Sequence, residues 1–210
     1  MNSNLSRLQI YPLTNSQLGW PEKLALKSSF GFGICPVCGK FTIFTNFTDN
    51  LRESGLCKVC QSNNRKRQMA FMLLEAIYET TGIKFSSVNE FTEQASQLEQ
   101  FVNFRIYNTE TTGSLHNYLT KLKGYKASEY LGYEYESGET IHGILHQNLM
   151  NTSFEDSSFD FVMSSDVFEH IPEPYQAFSE VNRILKPGGR HIFTVPFYSD
   201  RYRDEVRAVG

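Results

Sequence analysis

The sequence predicts an α/β protein: a doubly wound, mostly parallel sheet preceded by a small cysteine-bearing module. Three observations predict it. Ser158 to Ser165 (SFDFVMSS) and Arg190 to Phe197 (RHIFTVPF) are apolar-rich runs of strand length. Between them Ala177, Phe178, Val181, Ile184 and Leu185 form one stripe of an amphipathic helix. Two such strands joined through a helix need a crossover, which makes a βαβ unit in a parallel sheet covered by helices. The third observation is that all 4 cysteines stand in two CxxC pairs, Cys35/Cys38 and Cys57/Cys60, with 18 residues between the pairs.

Residues 1–30 are polar, show no clear period and read as a lead-in segment. Residues 31–62 hold the cysteines. A two-residue spacing lets both thiolates of a pair bind one metal from a tight turn, and Gly39 follows the first pair as a turn residue. Four thiolates at a tetrahedral site suit Zn²⁺. Between the pairs KFTIFTNF alternates like a short strand, and the whole arrangement resembles a zinc ribbon. Cys35, Cys38, Cys57 and Cys60 would fill the coordination sphere, so the metal is expected to be structural and to supply folding energy that so small a module lacks. Two disulfides are the alternative for an exported chain, and a redox-active CxxC is another.

A helical connector is expected over 63–100. Its first helix runs from about Asn63 to Thr81 on a stripe of Met69, Met72, Leu73, Ala76 and Ile77, with Gly82 past its end. Arg65-Lys66-Arg67 reads as a solvated helix start. Ser86 to Gln100 reads as a second helix. The sheet domain is expected over 101–210, with FVNFRIYN as the first strand and a helix bearing Leu115, Tyr118, Leu119 and Leu122 after it. YKASEYL and GILHQNL follow as strands two and three. After strand four and the helix, Lys186-Pro187-Gly188-Gly189 read as a stop and turn before strand five.

Composition excludes little. A net charge of −3 does not describe a nucleic-acid-coating protein. No apolar run approaches the roughly 18 residues of a membrane span. MNSNLSRLQIYPL lacks the apolar segment of a secretory signal, so a cytoplasmic protein is expected.

SFDFV, EHI, LKPGG and HIFTVPF, in that order over about forty residues, resemble strand four to strand five of a class I S-adenosylmethionine-dependent methyltransferase of the type 11 kind. The resemblance implies a Rossmann-like methyltransferase fold with S-adenosylmethionine across the carboxyl ends of the first four strands. It implies that the turn Thr109 to Ser114, with Glu110 and Gly113, approaches the methionine and ribose. Glu129 would take the ribose hydroxyls, Asn148 and the Leu149 backbone the adenine edge, and Ser165 and Asp166 would face the sulfonium and the acceptor. For a hydroxyl acceptor, His170 with Asp166 would act as the base. The chain departs from the pattern in two places: NTETTGSL has one glycine where the fingerprint has two or three, and Asn148 stands in place of an aspartate.

The 13 residues after Phe197 are too few for the two further strands the resemblance implies, so the fold is expected to be incomplete at the C-terminus. Strands beyond a fragment's end, or a partner chain, are then expected to cover strand five; otherwise the enzyme is compromised. The expected function is methyl transfer to an unidentified small-molecule or glycan acceptor, with no nucleic acid or membrane partner. The alternative is a non-catalytic zinc-ribbon binding protein, for protein or nucleic acid, with a degenerate methyltransferase-like domain.

Overall fold

A computed structural model of the chain describes residues 30–196. The lead-in up to residue 29, Phe197 and the tail YSDRYRDEVRAVG lie outside the described residues. The N-terminal module is an antiparallel sheet of β1 (Phe30–Ile34), β2 (Phe41–Thr45) and β3 (Leu56–Cys57), in that order. Each CxxC closes the same kind of turn: the Gly39 amide donates to the Cys35 carbonyl at 2.8 Å and the Gln61 amide to the Cys57 carbonyl at 2.9 Å. β2 alternates as expected but with the phase reversed, since Thr42 is buried and Phe41 and Ile43 are exposed. The inner face is the cysteine face, where the Thr42 hydroxyl lies 3.8 Å from Cys57 Sγ.

Helix α1 (Asn64–Thr81) is capped by Asn63, whose side chain accepts from the Lys66 amide at 2.9 Å, and ends at Gly82 with φ 74°. Its buried face is broader than expected, taking in Ala70 and Leu74, because α1 packs on both the sheet and a second helix. Met72 is a correction: it is 54% exposed and not part of the stripe. Helix α2 (Val88–Ala95), capped by Ser87, is shorter than the expected Ser86 to Gln100. The chain then turns through a 3₁₀ segment, Glu99–Phe101, and strand β4 is only Ile106–Asn108. Phe101 and Phe104 are drawn out of the expected first strand into a buried aromatic cluster with Phe85 and Phe91.

The main sheet has the order β5-β4-β8-β9, where β5 is Tyr125–Ala127, β8 Phe159–Ser165 and β9 Leu185–Thr194, and all its pairings are parallel. The expected third strand is rudimentary. Ile144–Leu145 (β7) pairs antiparallel with Thr140–Ile141 (β6), and only His146 bridges in parallel to Glu129 on the outer side of β5. In the sequence's own terms the order is 3-2-1-4-5, so the α/β reading with a parallel sheet holds. Crossovers run through α3 (Gly113–Leu119) and α4 (Pro174–Ile184). The turn before β5 requires Gly124, since a Cβ there would lie 2.1 Å from the Phe104 carbonyl oxygen.

LKPGG does not form a separate turn before strand five. β9 starts directly at Leu185, which pairs with Phe159, and the next pair is Phe161 with Arg190. Lys186 to Gly189 bulge between them, Gly188 at φ 82°, and the Lys186 ammonium is held by Asp160 at 2.7 Å. The buried stripe of α4 is therefore Ala177, Val181 and Ile184, with Leu185 already in the strand.

Alternate residues of the sheet enter two cores. Ile106, Phe161 and Met163 join a cluster that continues through Phe91, Leu73 and Met69 to Cys35 and Cys57. Tyr107 and Val162 join the other, with Phe168, Val181 and Ile184. The cysteine module, both connector helices and the sheet thus share one continuous apolar cluster.

His191 of β9 meets the Ser164 hydroxyl at 2.8 Å, and burial pushes its imidazole down to about 4. The folded state therefore keeps it neutral while the unfolded chain protonates it near pH 6.5. Its contribution to stability is present at neutral pH and is lost as pH falls from about 6.5 towards 4. We expect urea denaturation to show a loss on the order of 2 kcal/mol across that window, reduced in His191→Asn. An identical acid profile in the variant would refute this.

Candidate cofactor site and cysteine cluster

The four cysteine sulfurs lie within 4.8 Å of one another, with Cys35–Cys60 at 3.7 Å and Cys38–Cys57 at 3.9 Å. Tetrahedral Zn²⁺ with bonds of about 2.3 Å would hold sulfurs about 3.8 Å apart. A disulfide needs about 2.05 Å, and all four cysteines are free. The hydrogen bond from Cys60 holds the Cys35 thiol down to about 4, while the same contact, with burial, pushes Cys60 up.

Arg67 supplies a second observation. Its guanidinium sits 4.2 Å over the Phe44 ring, donates to the Gly55 and Ser62 carbonyls at 2.6 Å, and the residue is 8% exposed. Among the described residues no carboxylate pairs with it. Burial pushes its pKa down and charge on Cys35, Cys57 and Cys60 pushes it back up. A buried cation without a counter-ion costs several kcal/mol, and the thiolates of a metal site would supply that counter-ion. The residues present fit Zn²⁺.

The expectation of a solvated helix start at Arg65-Lys66-Arg67 is overturned. Arg67 faces the cysteines, Lys66 pairs with Glu110, and Arg65 reaches Ser165 and Asp166.

At the carboxyl ends of β4, β5 and β8 lies a cavity of about 350 Å³, bordered by Thr109, Glu129, Asn148, Leu149, Asp166 and His170 among others. The pairings place these residues. Glu129 is fixed beside the third strand by its amide on the Leu145 carbonyl at 3.0 Å, and its Oε1 accepts from the Thr111 amide and hydroxyl at 2.8 and 2.9 Å. Asn148 Oδ1 accepts from the Met150 amide at 3.0 Å, and Leu149 is buried beside it. The Thr109 hydroxyl is buried and lacks a partner among the described residues. Beneath, the Tyr107 hydroxyl meets Ser128 at 2.7 Å, and burial pushes the phenol up.

Glu110, Gly113 and Ser165 do not border the cavity. Gly113 sits at φ 86° with nothing within 4 Å of where a Cβ would project, so its backbone conformation is what calls for glycine. The turn is braced instead by side chains: Asn108 donates to the Glu110 carbonyl and the Tyr125 hydroxyl, each at 3.0 Å, and His116 meets the same hydroxyl at 3.0 Å. Asp166, at φ 57°, accepts from the Thr194 hydroxyl at 2.9 Å and is engaged by Arg52 and by Arg65, the latter at 3.2 Å. His170 is exposed at the cavity rim, and no hydrogen bond joins it to Asp166 among the described residues. Arg52, Arg65 and Lys66 went unrecognised in the sequence as neighbours of this site. Their partners lie 44 to 114 residues further along the chain, beyond any local pattern.

Residues 112–193 match the family model described as Methyltransferase domain. Phosphoethanolamine N-methyltransferase 2 of Caenorhabditis elegans is 48% identical over 42 residues, covering 20% of this chain and 10% of that protein. Demethylmenaquinone methyltransferase of Staphylococcus haemolyticus (strain JCSC1435) is 36% identical over 69 residues, covering 30% and 28%. A solved structure of Haemonchus contortus phosphoethanolamine N-methyltransferase 2 in complex with S-adenosyl-L-methionine aligns at 20% identity with a TM-score of 0.33, covering 58% of this chain and 32% of that one. The chain thus spans only a tenth to a little over a quarter of the curated relatives it matches. No helix among the described residues is long and apolar enough to cross a membrane. Residues 112–193 thus match a methyltransferase domain, and they sit in a parallel sheet with a cavity at its carboxyl edge, behind a four-cysteine cluster with the dimensions of a metal site.

Proposed function

We propose that the chain binds S-adenosylmethionine in this cavity and belongs to an enzyme that transfers the methyl group to a small-molecule or glycan acceptor. The observation that carries the reading is Glu129, a carboxylate at the cavity with one oxygen fixed by Thr111. Its other oxygen is left to receive the ribose hydroxyls. Asn148 and Leu149 would border the adenine, and Thr109 offers an unspent hydroxyl.

The cofactor supplies an already activated methyl group, so the protein's work is to orient, align and exclude water. His170 at the rim would accept a proton from a hydroxyl acceptor. In this reading the module over 31–62, the connector over 63–100 and the sheet domain from 101 act as one unit. Structural Zn²⁺ on the four cysteines holds the first part in place. Reduced thiols suit the cytoplasm.

Calorimetric titration with S-adenosylhomocysteine tests the reading. Micromolar binding is expected, weakened at least about tenfold in Glu129→Ala by loss of charge-assisted hydrogen bonds. A folded wild-type chain that binds nothing would overturn it and leave the non-catalytic binding protein.

A further inference from the structure

Charged groups from the N-terminal module and from the start of α1 meet the carboxyl ends of β4 and β8. Arg52 comes from the loop between β2 and β3, and Arg65 and Lys66 from the first turn of α1. Lys66 pairs with Glu110, Arg65 with Ser165, Asp166 and Glu53, and Arg52 with Asp166. Its two central cations are well covered, the Lys66 side chain 9% exposed and that of Arg65 15%. Ion pairs at such depth carry a desolvation cost that apolar residues of similar size would avoid. α1 already docks through its apolar face, so a tether has no need of them.

The cluster touches the cavity at Asp166, and Glu110 directly follows Thr109. It is balanced, three cations (Arg52, Arg65, Lys66) against three carboxylates (Glu53, Glu110, Asp166). A balanced set of paired charges suits neither a bare anion nor a bare cation. It complements a zwitterion, which can exchange partners with both halves of each pair without leaving a charge bare.

We propose that this cluster is the subsite for the zwitterionic amino-acid end of the cofactor. Arg65 and Lys66 take its α-carboxylate, with Arg52 alongside, and Glu110 and Asp166 take its α-ammonium. The start of α1, with Arg52 of the N-terminal module, thereby forms one wall of the cofactor site. The single-glycine turn fits this arrangement: with Cβ atoms along most of 109–114, side chains replace close backbone approach as the means of grip. The inference rests on the reading under Proposed function and adds to it residues that lie outside the family match.

The test compares S-adenosylhomocysteine with 5′-methylthioadenosine, which keeps the nucleoside and lacks the amino-acid end. The wild-type chain is expected to bind the former at least about a hundredfold more tightly. Arg65→Gln and Lys66→Met should each weaken S-adenosylhomocysteine about ten- to hundredfold and leave 5′-methylthioadenosine within about twofold. Retained nucleoside binding also reports that the variant is folded. Arg52→Gln, at a more exposed position, and Glu110→Gln carry the same readout should a buried substitution disturb folding. Equal wild-type affinity for the two ligands would overturn the inference, as would parallel loss of both in a variant with native circular dichroism. Binding of neither ligand by the folded wild type is a different pattern and counts against the cofactor site itself.

Discussion

With Zn²⁺ on the four cysteines, as proposed, chelation is expected to unfold the N-terminal module and to lower the thermal midpoint of the chain with it. The small sheet of β1 to β3 buries little apolar surface of its own. Its outward face carries Phe32, Ile34, Phe41 and Ile43, all exposed, and its inward face centres on Cys35, Val37, Cys38 and Cys57. Structural Zn²⁺ contributes about 10–16 kcal/mol in small metal-dependent modules, against about 5–15 kcal/mol for the whole stability of an ordinary domain. A metal bound there would therefore decide whether the module folds. Its loss also leaves the buried Arg67 cation without an opposing charge. Because the cysteines belong to the same apolar cluster as Leu73, Phe91 and Phe161, the damage should reach the sheet. Metal analysis should find one zinc per chain, and melts with and without a strong chelator should differ by well over 10 °C. Cys38→Ser should reproduce the chelated state. Arg67→Met should weaken zinc about tenfold in a competition assay, since the charge beside the thiolates is lost. A metal-free chain with an unchanged melt would contradict all of this, and so would cysteines that titrate as disulfides.

What the sequence made legible was what depends on local pattern. Strand β8, helix α4 and the span and stop of α1 follow from side-chain period and Gly82, because neighbouring residues alone decide them. The cysteine cluster was legible because two CxxC turns each pre-form half of a site. The methyltransferase resemblance singles out Glu129 at the end of strand two, and in the structure that residue borders the cavity. What escaped was decided by distant partners. The stretch FVNFRIYN has strand chemistry throughout, yet Phe101 and Phe104 gain more from a ring cluster than from a ladder. LKPGG has turn chemistry, yet the sheet takes it in as a bulge because Leu185 already pairs with Phe159. Arg65 and Lys66 look solvated on any local reading, and only the fold brings Glu110 and Asp166 to them.

Phe91→Ala is expected to be the most damaging single change outside the cysteines. The Phe91 ring is fully buried, with ring centroids at 5.3 Å from Phe85, 5.3 Å from Phe101 and 6.0 Å from Phe104. Phe104 in turn meets Phe161 of β8 at 5.3 Å, so these rings form an edge-to-face chain from α2 to the middle of the parallel sheet. Truncating a buried Phe costs about 3–5 kcal/mol through lost transfer energy and the cavity left behind. The neighbours here are rings that cannot collapse into the gap without breaking their own edge contacts, which favours the upper part of that range. A second consequence separates this site from ordinary core. The amides of Val88 and Asn89, at the start of the same helix, donate to the Pro36 and Val37 carbonyls at 2.8 and 3.0 Å, inside the first CxxC turn. Loosening α2 therefore loosens a cysteine turn, and Phe91→Ala should speed zinc release to a chelator as well as lower the melting temperature. Phe91→Leu, which keeps most of the volume, should lose less than half as much on both measures. A variant that loses stability while releasing zinc at the wild-type rate would show that α2 packs on the sheet without bracing the metal site.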